Sequence, residues 1–265
     1  MKKSINQIIN YLGYTILKVG RVKKSQNQLL LNIGSGNWSC KGWLNLDYPS
    51  EWYHDAQKAH TIIPYDIRSN PIPFSDNEVD AIYCSHVIEH IEDQHIEHFF
   101  EECNRVLKQG GALRIACPDA EFLYQMSLFP SDYWLWRTDW FTNEFFYAKE
   151  KSPRLVDYLV REIATPKLLN YKNAITQTDY FEAFETMQME DFFEFMKEGL
   201  VFRNNFVGDH INYWTFAKIK SKLEQSGFKH IIRSKWNGSC KKEMLYKHKF
   251  DTTYPLMSLY VEAIK

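Results

Sequence analysis

A glycine turn followed by a carboxylate, within residues 28–47, is the part of the sequence best suited to bind a ligand. An apolar run over 29–33 leads into a Gly-Ser-Gly turn at 34–36, and a second short apolar segment ends at Asp47. A strand that runs into a glycine turn lets a ligand approach the backbone where a side chain would block it. An acid at the end of the next strand can accept two hydrogen bonds from a ribose diol. The spacing therefore predicts a nucleoside-binding edge of a parallel sheet.

The spacing of these residues argues against a dinucleotide as the ligand. A dinucleotide-binding fingerprint needs a third glycine three residues after the second, and an acid about 20 residues further on. Position 39 is a serine, and Asp47 follows Gly36 by only eleven residues. The sequence also lacks a GxxxxGKS/T phosphate loop. A ligand with a ribose but no phosphate fits better, and S-adenosylmethionine is the common one.

The composition is that of an ordinary globular protein. Of the 265 residues, 45% are hydrophobic and 25% are charged, so a sizeable core can form and global disorder is excluded. A formal net charge of −1 gives no overall electrostatic attraction for nucleic acid. The five cysteines include no CxxC pair, which is typical of a reducing compartment, and we expect a cytoplasmic location.

Residues 1–27 form a separate basic segment. Lysine and arginine occur in it without any acid, and isoleucine, leucine and valine recur at helical spacing. The segment is too polar for a signal peptide and too short and polar to span a bilayer. We expect an amphipathic helix that covers one edge of the domain. A peripheral contact with a membrane or an acidic partner is the alternative.

Strand and helix signals alternate through the first half of the chain. Apolar residues at helical spacing predict a helix over 92–108 that ends at the glycine pair 110–111. Apolar runs predict strands over Leu29–Ile33, Trp43–Leu46, Thr61–Ile63, Val79–Cys84 and Leu113–Cys117. Two of these strands are continuous apolar runs, as expected for strands buried on both faces. The alternation predicts an α/β fold with a doubly wound, mostly parallel sheet.

Residues 120–208 interrupt this alternation. They contain ring-rich segments such as WLWRTDWF and EDFFEFMKEGLVF, which are typical of amphipathic helices, and they are too long for a loop. We predict an aromatic-rich helical cap inserted into the α/β domain, whose rings form a core and in part line a substrate pocket. A helix over 213–225 and two further strands then resume the α/β pattern. The predicted cofactor-binding domain therefore comprises 28–119 and 209–265.

Four motifs in this order resemble the class I S-adenosylmethionine-dependent methyltransferases. They are the glycine turn with Asp47, the P-F-x-D turn at 73–76, the EH pair at 89–90 and the VLKxGG turn at 106–111. The branch that they resemble is the type 11 methyltransferases. The segment 209–265 is also similar to members associated with surface-polysaccharide synthesis. The resemblance implies a seven-stranded Rossmann-like sheet and S-adenosylmethionine as the cofactor.

The resemblance also implies cofactor-binding roles for residues near the strand ends. The glycine turn would lie under the methionine part of the cofactor, Asp47 would hold the ribose hydroxyls, and Asp66 with Ile67 would flank the adenine. Ser85 would lie beside the sulfonium. Asn32 stands where members of the resembled family usually carry an acid. Its amide oxygen can still accept a hydrogen bond, but it carries no negative charge. The implied cofactor-binding residues are Asn32, Gly34, Ser35, Gly36, Asp47, Asp66, Ile67 and Ser85.

Three residues are candidates for catalysis. Transfer of a methyl group to a hydroxyl needs a group that removes the proton, and a side chain that titrates near neutral pH suits this task. His86, which the resemblance also places beside the sulfonium, and His210 are the candidates, with Asp119 as orienter or base. A structural hydrogen-bonding role is the alternative for each histidine. His90 is expected to support the start of a helix.

A metal site is a further alternative for some of these residues. The cluster His86-x-x-Glu89-His90 resembles an acid-x-x-Glu-His cluster with which some methyltransferases hold a divalent ion, with His210 as a fourth ligand. The Glu-His pair is also common in relatives without any metal, and the pattern is less specific than HExxH. The sequence therefore assigns no metal ligand.

We expect an enzyme, a methyltransferase that modifies a hydroxyl of a sugar or another small polar acceptor held between sheet and cap. The alternatives are a nicotinamide-dependent oxidoreductase and a non-catalytic binding protein that keeps the fold, and Asn32 is the best support for the latter. Nucleic acid is not expected as a partner, because no basic patch interleaved with aromatic residues occurs outside 1–27.

Overall fold

The computed structural model describes residues 28–58, 60–143, 153–168, 177–245 and 248–265. The basic helix predicted over 1–27 lies outside these residues. The strands are β1 (Leu30–Ile33), β2 (Trp43–Asp47), β3 (Ile62–Pro64), β4 (Val79–Ser85), β5 (Leu107–Pro118), β6 (His230–Arg233) and β7 (Ser258–Ile264). They form one seven-stranded sheet in the order β3-β2-β1-β4-β5-β7-β6.

The sheet is mixed in direction. The strands β1 to β5 pair in parallel, whereas β7 runs antiparallel to both β5 and β6. The strand order reverses at β1, which lies between β2 and β4. In an open α/β sheet, ligands bind outside the carboxyl ends of the strands at such a reversal. The predicted doubly wound, mostly parallel sheet of seven strands is confirmed.

The register brings three strand ends to one level. Ile33, the last residue of β1, pairs with Leu46 of β2 and with Cys84 of β4. The next residue along the chain is a glycine in the first segment, an acid in the second and a serine in the third. The glycine turn, the acid and the serine therefore meet at one edge of the sheet.

Helices cover the sheet and fill the segment between β5 and β6. They are α1 (His54–Gln57), α2 (Asp93–Val106), α3 (Ala120–Ser127), α4 (Thr138–Asn143), α5 (Leu155–Ile163), α6 (Thr165–Leu168), α7 (Gln177–Thr186), α8 (Met189–Lys197) and α9 (Phe216–Gln225). Fully buried side chains of α2 and α9, such as Phe99, Phe100 and Leu223, join the apolar core of the sheet. None of the described helices has the length and apolar composition needed to cross a bilayer.

The helix predicted over 92–108 is present but ends earlier, at Val106. Leu107 is extended, with φ −65° and ψ 138°, and it already pairs with Val79 of β4. The pairing of Leu107 with β4 therefore ends the helix before the glycine pair 110–111. Gly110, at φ 73°, lies within β5 rather than at the end of the helix.

The described helices within 120–208 share an aromatic core of their own. Trp134 stacks on Tyr158 of α5 with ring centroids 5.3 Å apart and an angle of 15° between the planes. Phe193 of α8 packs on Tyr213 at 4.7 Å, which ties this core to the chain that returns to the sheet. The fold therefore includes the predicted aromatic-rich helical segment. The exact domain boundaries stay a prediction.

Arg114 holds loops near the carboxyl terminus to the sheet. It lies in β5, is fully buried, and donates to Asp251 Oδ1 at 3.0 Å and to Glu262 Oε1 at 3.1 Å. It also donates to two backbone carbonyls in the loop after β6, at 2.6 and 3.0 Å. Removing one partner of such a buried network leaves uncompensated charge. Because Asp251 directly precedes residues 252–254, the network also fixes that loop.

We expect Arg114→Leu to lower the free energy of unfolding by about 3–5 kcal/mol, because two buried carboxylates lose their counter-charge. Urea unfolding followed by circular dichroism measures this loss. The matched control is Lys108→Met, which removes a partly exposed cation paired with Asp80 at 2.7 Å and should cost less than about 1 kcal/mol. Equal losses in the two variants would contradict the interpretation.

Candidate functional site

The glycine corner, residues 34–36, is closed by the carboxylate of Asp47. Asp47 Oδ2 accepts hydrogen bonds from the backbone N–H of Gly36 at 2.7 Å and from the Ser35 hydroxyl at 3.1 Å. Oδ1 accepts from the backbone N–H of Tyr48 at 2.8 Å. A carboxylate offers about four acceptor positions, so about one is left for a ligand.

Asp47 is a desolvated acid held by hydrogen-bond donors. Burial raises the pKa of Asp47 above its ordinary value of 3.8, and the hydrogen bonds from Gly36, Ser35 and Tyr48 offset part of that rise. Among the ion pairs of the described residues, none involves this acid. Its remaining acceptor capacity is therefore available to a neutral donor such as a hydroxyl.

Gly34 is the position in the corner where a side chain is excluded. Its φ is 71°, and a Cβ placed there would lie 2.2 Å from Cγ2 of Val87. The residue thus allows both the left-handed turn and the close packing of the chain after β4. Gly36 shares the left-handed backbone, at φ 51°, but a Cβ there would meet open space.

A cavity of about 410 Å³ opens beside the glycine corner. Its wall is formed by the ends of β1, β2 and β4, by residues after β3, by α5, by the segment before α9 and by the loop before β7. Most of the site residues predicted from the sequence line it. They are Asn32, Gly34, Ser35, Gly36, Asp47, Ile67, Ser85, His86 and His210.

The structure does not bring Asp66 to this cavity. Its carboxylate pairs with Arg68, whose Nη2 lies 2.7 Å from Oδ2 and whose Nε lies 2.9 Å from Oδ1. Partial burial raises the pKa of Asp66, but the hydrogen bonds from Arg68 outweigh burial and lower it below 3.8. Because Arg68 pairs with the carboxylate of Asp66, the structure does not support the predicted contact of Asp66 with the adenine.

Asp119 likewise lies outside the cavity wall. It caps α3 by accepting a hydrogen bond from the N–H of Phe122, and its other oxygen lies 2.9 Å from Nη2 of Arg233. Both contacts serve the local structure after β5. The predicted role of Asp119 as orienter or base is therefore not supported by its position.

Asn32, which the resemblance implies is a cofactor-binding residue, does line the cavity. Its amide donates to the side-chain oxygen of Asn45 at 3.2 Å, and Asn45 in turn donates to the carbonyl of Trp38 at 3.0 Å. The side chain of Asn32 is almost fully buried. The chain of amides fixes its orientation without placing a negative charge at the end of β1.

Both ring nitrogens of His86 have partners. Nε2 lies 2.8 Å from the Ser258 hydroxyl oxygen, and Nδ1 lies 3.1 Å from Oε1 of Glu89. The Ser258 hydroxyl donates to the carbonyl of Tyr254 at 2.8 Å, so it accepts from Nε2. Nε2 is therefore engaged by Ser258, and Nδ1 lies beside the buried carboxylate of Glu89. Neither nitrogen is left free for a substrate proton, so these contacts do not support the predicted role of His86 as base.

Glu89 is a buried acid at the side of the cavity. Its side chain is 1% exposed. Burial raises the pKa of Glu89, but the hydrogen bond and charge of His86, together with His90, outweigh burial and hold the pKa below 4.5. Nδ1 of His86 lies 3.1 Å from Oε1, but neither oxygen of the carboxylate has a partner in good hydrogen-bond geometry among the described residues.

Two backbone hydrogen bonds join the EH pair to the segment that carries His210. The carbonyl of Glu89 accepts from the N–H of Ile211 at 2.9 Å and of Asn212 at 3.1 Å. As a result, the rings of His90 and His210 lie edge to face with centroids 4.9 Å apart. Both rings line the cavity, so His90 contributes to the site as well as to its own turn.

Backbone carbonyls hold these two rings through Nδ1. His90 Nδ1 lies 2.8 Å from the carbonyl oxygen of Asp209, and His210 Nδ1 lies 2.7 Å from that of Glu162. Burial lowers the pKa of His210 well below 6.5, and the charges of His90 and Arg161 add to this effect. The His210 ring is therefore neutral near pH 7.

Sequence reasoning missed part of the cavity wall. Arg161 of α5, Tyr65 and the loop 252–254 line it. A signal for Arg161 exists, because the helix LVDYLVREI is apolar apart from three charged residues, and Asp157 and Glu162 among them are fully buried. Charges within an apolar helix are costly unless they are paired. The loop 252–254 carries no comparable signal.

We expect Gly34→Ala to lower the free energy of unfolding by about 2–4 kcal/mol, because it combines left-handed backbone strain with overpacking against Val87. Thermal and urea unfolding measure the loss. Gly42→Ala is the matched control, since φ is 92° but a Cβ meets open space, and it should cost about 1 kcal/mol. The double variant Gly34→Ala with Val87→Ala should recover the overpacking part. No recovery would show that Val87 is not the obstacle.

One comparison with known proteins matches a segment that includes part of this site. Residues 44–115 match the family described as a methyltransferase domain. A search of curated proteins finds no match.

Solved structures that are similar to this chain include methyltransferases from three prokaryotes. An S-adenosylmethionine-dependent methyltransferase from Archaeoglobus fulgidus is 12% identical, with a TM-score of 0.42 and coverage of 100% of this chain and 95% of that chain. One from Mesorhizobium loti is 16% identical, with a TM-score of 0.41 and coverage of 89% and 90%. A third, from Thermotoga maritima and titled a possible histamine N-methyltransferase, is 14% identical, with a TM-score of 0.42 and coverage of 90% and 83%.

The matched segment runs from β2 into β5 and includes Asp47, Ser85 and the EH pair. It therefore contains the acid of the glycine corner and the strand end beside it. The family match and the observed fold indicate an enzyme, a methyltransferase whose cofactor is S-adenosylmethionine.

Proposed function

We propose that this methyltransferase acts on a hydroxyl of a sugar or another small polar acceptor. The observation that carries the proposal is the composition of a single cavity. One part of its wall is the glycine corner with Asp47, and another part bears His90, His210 and Arg161. A site that offers a few convergent polar groups in a concave pocket suits a small polar molecule.

The residues beside the glycine corner fit the cofactor. When bound, S-adenosylmethionine supplies a methyl group on a positively charged sulfur, already activated for transfer. The hydroxyl of Tyr65 is buried, belongs to a cavity-lining residue and has no hydrogen-bond partner among the described residues, so a nucleoside can satisfy it. Ile67 adds an apolar surface to the same wall.

Asp47 holds the ribose hydroxyls in this proposal. A diol needs two acceptor positions, and the carboxylate has about one left. The bond from the Ser35 hydroxyl is the longest of the three that Asp47 accepts, at 3.1 Å, so it is the one that a ribose replaces. The bonds from the two backbone N–H groups keep the carboxylate in place meanwhile.

The acceptor hydroxyl lies at the His90 and His210 rings. Because Nδ1 of each ring donates to a backbone carbonyl, Nε2 carries the lone pair in the neutral form of the ring. A lone pair on the cavity wall can accept a hydrogen bond from the acceptor hydroxyl and so orient its oxygen. Orientation is the main task of the protein here, since the methyl donor is already activated.

The cellular setting is a further part of the proposal. The similarity of residues 209–265 to members associated with surface-polysaccharide synthesis supports a glycan acceptor. A cytoplasmic location is supported by the free cysteines of the chain, since unpaired thiols suit a reducing compartment. These are Cys40, Cys84, Cys103, Cys117 and Cys240. The predicted peripheral contact of residues 1–27 with a membrane or an acidic partner lies outside the described residues.

Isothermal titration calorimetry with S-adenosylhomocysteine tests the cofactor half of the proposal. We expect Asp47→Ala to bind at least about tenfold more weakly than the wild type, because a hydrogen bond to a charged group contributes about 1.5–3 kcal/mol. Asp55→Ala is the matched control, since that acid is 94% exposed, and it should bind like the wild type. Binding of NADH in place of S-adenosylhomocysteine would support the alternative of an oxidoreductase.

Transfer of label from methyl-labelled S-adenosylmethionine to a panel of free and activated sugars tests the acceptor half. We expect a labelled methyl ether on a sugar hydroxyl. Label found only on amines would contradict the proposed acceptor class. Binding of S-adenosylhomocysteine without turnover of any acceptor would support the non-catalytic alternative.

A further inference from the structure

Glu89, His90 and His210 bring three electron-pair donors together beside the cavity. One ligand atom from each side chain, a carboxylate oxygen or an imidazole nitrogen, lies within 4.8 Å of the other two. Glu89 and His210 are buried, and both histidines belong to the cavity wall. We refer to these residues as the Glu89–His90–His210 cluster.

The ring protons of both histidines point away from the centre of the cluster. A carbonyl oxygen can only accept, so the proton of His90 is on Nδ1, which faces the carbonyl of Asp209, and the proton of His210 is on Nδ1, which faces that of Glu162. In the neutral form of each ring, Nε2 therefore carries the lone pair. His90 Nε2 lies 3.9 Å from Glu89 Oε1.

The carboxylate of Glu89 adds negative charge at the same point. Oε1 lies 3.1 Å from Nδ1 of His86, and neither Oε1 nor Oε2 has a partner in good hydrogen-bond geometry among the described residues. Electron pairs that face one another in a buried site repel, and an unpaired buried polar group is costly. A cation between the three groups removes both penalties at once.

We propose that the Glu89–His90–His210 cluster binds a divalent transition-metal ion through a carboxylate oxygen and the two Nε2 atoms. The sequence alone did not assign this site. Two imidazoles and one carboxylate suit ions such as Zn²⁺, Mn²⁺ or Fe²⁺, whereas Mg²⁺ and Ca²⁺ prefer oxygen ligands throughout. An ion with bonds of about 2.1 Å holds tetrahedral ligands about 3.4 Å apart. The three ligand atoms, which lie within 4.8 Å of one another, therefore move closer together by up to roughly 1.4 Å when an ion binds.

The surroundings of the cluster are those of a metal site. Metal-bound histidines donate their other ring N–H to a carbonyl or carboxylate, which fixes the tautomer and the orientation of the ring, and bound carboxylates are hydrogen-bonded in turn. Here two backbone carbonyls accept from the histidines, and Nδ1 of His86 lies 3.1 Å from the carboxylate of Glu89. His86 is thus a positioning residue for the carboxylate rather than a ligand.

Three protein ligands leave at least one coordination position open. On the proposed function, from which this step follows, the acceptor fills that position. Its hydroxyl oxygen binds the ion instead of the histidine lone pairs. The ion would make the bound hydroxyl easier to deprotonate, and the proton would pass to solvent water while the methyl group moves from the sulfur to the oxygen. The cluster then both orients and activates the acceptor.

Equilibrium dialysis of the chelator-treated full chain against Zn²⁺, Mn²⁺ and Mg²⁺ in turn, followed by mass spectrometry of the metal, tests the site. We expect about one Zn²⁺ or Mn²⁺ per chain and a much weaker uptake of Mg²⁺. His90→Gln and Glu89→Gln should each weaken binding by more than about tenfold, because each removes a metal ligand. His98→Gln, which changes an exposed histidine of α2, is the matched control and should bind like the wild type.

Folding and cofactor binding are measured on every variant. His210→Ala removes a buried ring and can unfold the chain, so His90→Gln, on the cavity wall, is the deciding variant. Failure of the wild type to take up Zn²⁺ or Mn²⁺, or uptake that persists in His90→Gln and Glu89→Gln, would overturn the metal site, even where S-adenosylhomocysteine binds normally. Metal uptake that follows the expected pattern in a chain that does not bind S-adenosylhomocysteine supports the metal site and overturns the proposed function instead.

Discussion

The common level of three parallel strand ends is the constraint on which the site depends. Ile33 of β1 is in register with Leu46 of β2 and Cys84 of β4, so the chain leaves the sheet at the same height in all three places. A slip of one residue in the pairing of β2 would turn Asp47 to the other face of the sheet. The hydrogen bonds from the glycine corner to its carboxylate would then be lost.

A second constraint joins two distant parts of the chain. The carbonyl of Glu89 accepts hydrogen bonds from Ile211 and Asn212, after the whole helical segment has intervened. That segment has its own aromatic core, and Tyr213 belongs to it. The packing of these helices therefore places His210 beside the turn that follows β4. The cofactor corner and the acceptor part of the cavity depend on different contacts, which is why they can be tested separately.

The sheet and the glycine corner could be predicted from the sequence because they rest on local patterns. Apolar runs mark buried strands, and a glycine turn that follows one marks a close approach of the backbone. The sequence pattern predicts that the helix after residue 92 ends two residues later than it does. Its end depends on the pairing of Leu107 with Val79, which is a contact between strands and leaves no local signal in the sequence.

The partners of the polar side chains could not be predicted in the same way. Asp66 and Asp119 sit at positions that suit a ligand, yet Arg68 engages the first and Arg233 engages the second. A carboxylate accepts from whichever donor the fold brings within reach, and sequence spacing does not reveal that donor. The same reason explains His90, whose ring packs against that of His210 because the carbonyl of Glu89 accepts hydrogen bonds from a distant part of the chain.

The most direct test of the account is a crystal structure of the chain with S-adenosylhomocysteine bound. We predict that the ribose hydroxyls contact the Asp47 carboxylate and that the sulfur faces the part of the cavity lined by His90 and His210. Electron density that leaves the glycine corner empty, or that shows a diphosphate lying across it, would contradict the account.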